Sequence, residues 1–142
     1  MSSTHPGDAL HRLLHAYKHA MRDASRDAGI DLPVSHMRML KVVCHHPQCT
    51  AHDIATHWRR DKAQIARVVK ELDHAGLIGI RPDADDGRRR ILTPTAAGKR
   101  MFQRIADAER EAGARMVRGL SREAVDQFVE LAEAMANNLR KS

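Results

Sequence analysis

The sequence predicts a mainly α-helical fold with one small β-wing, and three observations carry that expectation. Apolar residues recur at intervals of three and four along most of the chain. Residues that cap or end helices stand between those stretches. Between Leu77 and Leu92 the pattern changes to short apolar runs on either side of an Asp-Gly pair, which is the signature of a hairpin.

Ser2 to Gly7 is polar and reads as a short arm. The first helix is expected from Asp8 to about Ala28, with Leu10, Leu13, Leu14, Tyr17, Met21 and Ala24 at helical spacing and Gly29 ending it. Asp31-Leu32-Pro33 breaks the chain and opens a second helix over about Val34 to His45, since proline suits a first turn. That helix is expected to bury Met37, Leu40, Val43 and Cys44, and His46-Pro47-Gln48 forms the loop after it.

Thr50 starts the third helix, with Asp53 placed to return the capping hydrogen bond. Ile54, Ala55 and Trp58 form its apolar face, and Arg59 and Arg60 make a tight turn. Asp61 caps the fourth helix, with Gln64 as its reciprocal partner. Ile65, Val68, Val69 and Leu72 must face inward, which turns Ala63, Arg67, Lys70 and His74 outward, with Gln64 and Ala66 on the flanks. Gly76 stops this helix. Leu77, Ile78 and Ile80 then suggest a strand, and Ile91 and Leu92 its antiparallel return across the loop RPDADDGRRR.

Thr93 is expected to cap a long fifth helix opened by Pro94 and running to about Val117, with Gly98 and Gly113 as local weak points. Ser121 caps the last helix, where Val125, Phe128, Ala132, Met135 and Leu139 make an apolar stripe. Two helices around a tight turn, followed by a ribbon with a basic tip, define a winged helix-turn-helix over residues 31–94. The flanking segments, 8–30 and 95–142, read as dimerisation helices, because their apolar stripes have no other element to cover them. A homodimer follows, and with it the two-fold symmetry of a palindromic DNA site.

The formal charge of +6 and the isoelectric point near 9.9 favour a polyanionic partner. The charge is concentrated, since Trp58 to Lys70 holds five Lys or Arg against one Asp. Double-stranded DNA is the partner these residues fit. Arg59, Arg60, Lys62 and Lys70 are placed for phosphates, and Gln64 and Arg67, flanked by Ala63, for base edges in a major groove. In the wing, Arg88 is the candidate for the minor groove, and Arg89 and Arg90 alternate across the strand. Asp86 belongs to the same site as the residue expected to hold the wing and Arg88 in place.

Other classes find less support in these residues. No apolar run reaches the roughly 20 residues of a membrane span. The first residues lack the apolar core of a signal peptide, so a cytoplasmic protein with two free thiols is expected. No phosphate-binding glycine loop, nucleophile elbow or paired carboxylates suggest catalysis, and no cofactor is expected. His11, His15 and His19 form one stripe, and Cys44, His45, His46, Cys49 and His52 form a second cluster. Neither has an established ligand spacing, so no metal is assigned, and a metal- or redox-responsive regulator of the same fold stands as the alternative. A winged helix that contacts protein instead of DNA would show an apolar or acidic outward face, which Arg67 and Lys70 contradict.

The run Asp61-Lys62-Ala63 with Ile65, Arg67, Val69 and Leu72, then Gly76-Leu77-Ile78, then Arg81-Pro82 with Asp85-Asp86-Gly87-Arg88, resembles the MarR family of bacterial transcriptional regulators. The likeness extends over nearly the whole chain, and Asp86-Gly87-Arg88, followed by Leu92-Thr93 and Gly98, is its most specific part. Arg60-Asp61-Lys62-Ala63 is similar to a branch that contains repressors of multidrug efflux. The resemblance implies a ligand-responsive homodimeric repressor. It also implies a short strand at Cys49 beside the wing. Its effector would be a small phenolic or anionic aromatic held between the dimer helices and the reading head. His11, His15, Met37, Arg38 and Lys41 are the candidates to line that cleft.

Overall fold

The side chains that begin and end each helix account for most of the architecture. A computed structural model describes residues 5–58 and 60–140. Its elements are α1 (Pro6–Asp27), α2 (Val34–His45), α3 (Ala51–Trp58), α4 (Lys62–His74), β1 (Ile78–Pro82), β2 (Arg90–Pro94), α5 (Ala96–Met116) and α6 (Arg122–Arg140). The mainly helical fold with a two-stranded wing is therefore as the sequence predicts. No helix among the described residues is long and apolar enough to cross a membrane.

Two helix starts differ from expectation. α1 begins at Pro6, because His5 Nδ1 accepts the Gly7 amide at 3.0 Å and proline fits the first turn. Gly7 is thus helical, while Ser2 to Thr4 lie outside the described residues. α5 begins at Ala96, capped by Thr95 and not by Thr93, which stays with Pro94 in β2. Thr95 Oγ1 accepts the Gly98 amide at 3.0 Å and donates to the Gly76 carbonyl at 2.6 Å. One hydroxyl therefore joins the end of α4 to the start of α5. Gly98 is no simple weak point, since a methyl there would stand 1.9 Å from the Leu77 carbonyl oxygen. The close approach of α5 to the α4–β1 corner requires glycine.

β1 and β2 pair antiparallel with Ile80 opposite Leu92. The expected strand at Cys49 is reduced to one ladder-like hydrogen bond, from the Leu92 amide to the Cys49 carbonyl at 2.9 Å. α2 lies at the centre, packed on α4, α5 and β2. The core takes Met37, Met39, Leu40 and Val43 from α2, Ile65, Val68, Val69 and Leu72 from α4, and Ile105 and Ala108 from α5. Cys44 is only half-buried, whereas His36 and Met39, which the periodicity left outside, are buried. α1 contributes Met21 and Ala24 near its C-terminal end and packs on α5, where the Arg104 guanidinium donates to the Ala28 carbonyl. α6 buries no residue.

Candidate nucleic-acid interface

The turn between α3 and α4 is fixed from both sides. Thr50 and Asp53 form a complete capping box on α3, each amide donating to the other's side chain at 3.1 Å. The Arg60 amide donates to the Ala55 carbonyl at 3.1 Å, which closes the turn after α3. Asp61 Oδ1 accepts the Ala63 amide at 3.1 Å and starts α4. Ile65, Val68, Val69 and Leu72 are buried, and this orients the helix. Lys62, Ala63, Gln64, Arg67 and Lys70 are consequently all exposed, as is Arg60. Arg59 lies outside the described residues. Gln64, read as a capping partner, lines a groove between α2 and α4 together with Ser35, Arg60 and Arg67.

The wing loop is ordered by its own carboxylates. Asp86 Oδ1 accepts the Arg88 amide at 3.1 Å, and the Asp86 carbonyl accepts the Arg89 amide at 3.0 Å. Asp83 accepts the Asp85 amide at 3.0 Å. Asp86 therefore shapes the turn that presents Arg88, in the role expected of it. Arg89 behaves differently from its neighbours. Its guanidinium reaches Asp83 at 3.2 Å and Asp53 at 3.6 Å, so it ties the wing to the start of α3. Among the described residues Arg88 and Arg90 make no such tie, and they are exposed, as is Arg81 on β1, so the wing offers cationic groups to a ligand.

A cleft of about 370 Å³ opens among α1, α2, α3 and α5. Met37, Arg38 and Lys41 line it, but His11 and His15 do not. Those two are exposed on α1, where the His15 and His19 rings meet edge to face at 4.7 Å. Tyr17, Trp58 and Glu109 take their place in the lining. Lys41 Nζ pairs with Glu109 at 2.8 Å, and the Arg38 guanidinium sits 5.2 Å from the Trp58 ring centre. Burial raises the Tyr17 hydroxyl pKa; the Glu109 charge adds to this and Lys41 opposes it.

Trp58 read simply as core, and Tyr17 and Glu109 sit on helices whose mutual placement no local pattern records. The signal available was the one tryptophan in the chain, standing at the end of a short helix. Both thiols are shifted upward, chiefly by burial, with Asp53 adding to the effect at Cys49. Among the described residues no three His, Cys, Asp or Glu side chains gather as a ligand set.

These features define a winged helix-turn-helix protein with helical arms on both sides of its head. The sequence model of the MarR family matches residues 30–89 of the chain. The chain is 26% identical over 110 residues to the HTH-type transcriptional repressor IacR of Pseudomonas putida, a stretch that covers 78% of this chain and 66% of that repressor. The match thus spans slightly under two thirds of the repressor's length. The crystal structure of MarR superposes with a TM-score of 0.82 at 20% identity, covering 99% of this chain and 95% of the other. CouR from Rhodococcus jostii RHA1, bound to p-coumaroyl-CoA, superposes with a TM-score of 0.78 at 24% identity, covering 92% and 90%. At these identities the superpositions establish a common fold.

Proposed function

We propose that this chain is a sequence-specific DNA-binding repressor that acts as a homodimer on a palindromic operator and is released by a small anionic aromatic ligand. The observation that carries the reading is the outward face of α4, where Lys62, Gln64, Arg67 and Lys70 are exposed beside a turn bearing Arg60. Lysine and arginine at the helix ends suit phosphates, while Gln64 and Arg67 offer paired donors to base edges. Arg88, on a wing braced by Asp86, suits a narrow minor groove. Arg90 is a second wing contact, and Arg59, beside Arg60 in sequence, a further phosphate contact. Arg89 acts as a brace.

Two-fold pairing through α1, the far end of α5 and α6 would set two α4 helices about 34 Å apart, one duplex turn. The apolar stripe of α6 supports it, with Phe128 45% and Leu139 75% exposed in the single chain. Operator and ligand then compete for the spacing between the two heads. In the cleft, Arg38 and Lys41 supply positive charge, and Trp58 and Tyr17 supply aromatic surface. A ligand carboxylate at Lys41 would displace Glu109 and so alter a bond between α2 and α5. The p-coumaroyl-CoA bound to CouR lends support to an aromatic effector. A cytoplasmic site of action goes with the same reading.

Footprinting on the DNA upstream of the chain's own gene, with and without phenolic carboxylates, tests this directly. Two protected half-sites one turn apart, lost on adding ligand, are expected. On a generic duplex, log affinity should fall linearly with log salt, with a slope of about −0.9 for each phosphate neutralised. A slope near zero would rule out the assignment.

A further inference from the structure

A polar chain starts on α2 and ends at the reading residues of α4. His36 is only 9% exposed, and its Nε2 lies 2.5 Å from Glu71 Oε2. Ser35 Oγ stands 3.1 Å from Nδ1. A carboxylate can only accept, so Nε2 carries the proton, and the Ser35 hydroxyl can donate to Nδ1 and hold that tautomer. The other oxygen of the same carboxylate, Glu71 Oε1, faces Arg67 Nε at 4.0 Å.

Arg67 and Glu71 are four residues apart with the cation first, the weaker order for a helical ion pair. Both are at least half exposed, so the pair alone would hold an arginine only loosely. His36 changes that balance, because it fixes the carboxylate from a different helix with a charge-assisted hydrogen bond. A second observation points the same way. The groove of about 200 Å³ between α2 and α4 is lined by Ser35 together with Arg60, Gln64 and Arg67. The start of the polar chain therefore opens onto the groove that the two base-reading candidates share.

We infer that His36 is a positioning residue for the reading head: through Glu71 it orients Arg67 and so sets which bases are read. This rests on the DNA-binding reading above. It assigns a recognition role to a residue on α2, outside the helix that carries the base-reading candidates. Glu71 also has a part of its own. A carboxylate free to swing on the outward face would repel phosphates, and the imidazole holds it in place.

The test uses the full chain and duplexes selected by it from a random-sequence library. The quantity read is the discrimination ratio, the affinity for the most enriched duplex over that for a shuffled one. Arg67→Ala should lower the ratio about tenfold or more. His36→Phe should lower it about threefold, and His36→Gln, whose amide still donates, should restore most of it. In the double variant His36→Phe/Arg67→Ala the ratio should be no lower than in Arg67→Ala alone, because the histidine acts through the arginine. Glu71→Ala lies on the surface and cuts the same chain from its other side, so it gives the same answer if His36→Phe fails to fold. Wild-type discrimination in Glu71→Ala or in a folded His36→Phe, wild-type discrimination in Arg67→Ala, or additive losses in the double variant would overturn the inference while DNA binding stands. A wild-type chain that enriches no duplex would overturn the DNA-binding reading and this inference together.

Discussion

Helix α2 buries five of its twelve residues, while α6, with nineteen, buries none. Both are amphipathic, so the spacing of apolar residues does not separate them. The difference lies in what surrounds each stripe. α2 is enclosed by α4, α5 and β2, which the same chain brings to it through short connections. α6 presents Phe128, Leu131, Met135 and Leu139 to solvent, a continuous apolar stripe of the kind that marks an interaction site. The head is thus buried within one chain, whereas the apolar stripe of the arm is exposed in the single chain. On the homodimer proposed above, folding and assembly fall to different helices.

The sharpest test of that division sets two leucines against each other. Leu72 is fully buried in the head, and Leu72→Ala should cost about 2–5 kcal/mol in urea unfolding. Leu139→Ala, in the arm, should stay within about 0.5 kcal/mol if α6 has no partner. A larger loss that depends on protein concentration would locate the partner in a second copy. Next comes Phe128→Asp with Met135→Asp, which should raise the dimer dissociation constant about a hundredfold, close to 3 kcal/mol, in sedimentation equilibrium. An unchanged dimer would break the comparison, because α6 would then be no interface.

Glycines give a smaller contrast inside a single helix. Gly98→Ala drives a methyl onto the Leu77 carbonyl and should cost about 1–3 kcal/mol in thermal melts. Gly113→Ala meets nothing within 4 Å and should stabilise α5 by up to about 1 kcal/mol. Equal responses at the two positions would deny that the close approach at Gly98 requires glycine. Asp53→Ala should cost about 1 kcal/mol for the lost cap. It also removes one of the two carboxylates that hold Arg89. Faster proteolysis of the wing loop in that variant, with α4 still protected, would confirm that the wing is braced from α3.

The head was largely legible in the sequence because its boundaries are set by local chemistry. The Thr50–Asp53 box, the Asp61 cap and Gly76 with its positive φ depend on neighbours a few residues away. So does the Asp86 turn, and the resemblance carried by Asp86-Gly87-Arg88 pointed to the same wing. What escaped depends on distant neighbours. Thr95 outranks Thr93 as a cap because a carbonyl from the end of α4 meets its hydroxyl. His36 is buried through a partner 35 residues away, and Arg89 turns inward to an aspartate on α3. His11 and His15 share a helix face with Leu14 in the sequence, yet the cleft forms farther along α1, around Tyr17 and Met21. No periodicity within one helix can reveal where another helix crosses it.

The junction at Thr95 makes α5 a lever with a stiff fulcrum. Its hydroxyl and amide, bonded to Gly76 and Leu77, leave little play between the head and the near end of the rod. Twenty-one residues of helix extend roughly 31 Å beyond that point. A rotation of about 10° at the junction sweeps the far end by about 5 Å over such a length. Run in reverse, in the homodimer proposed above a shift of that size at the far end of α5 would swing each head by a comparable angle, enough to throw it out of step with the grooves.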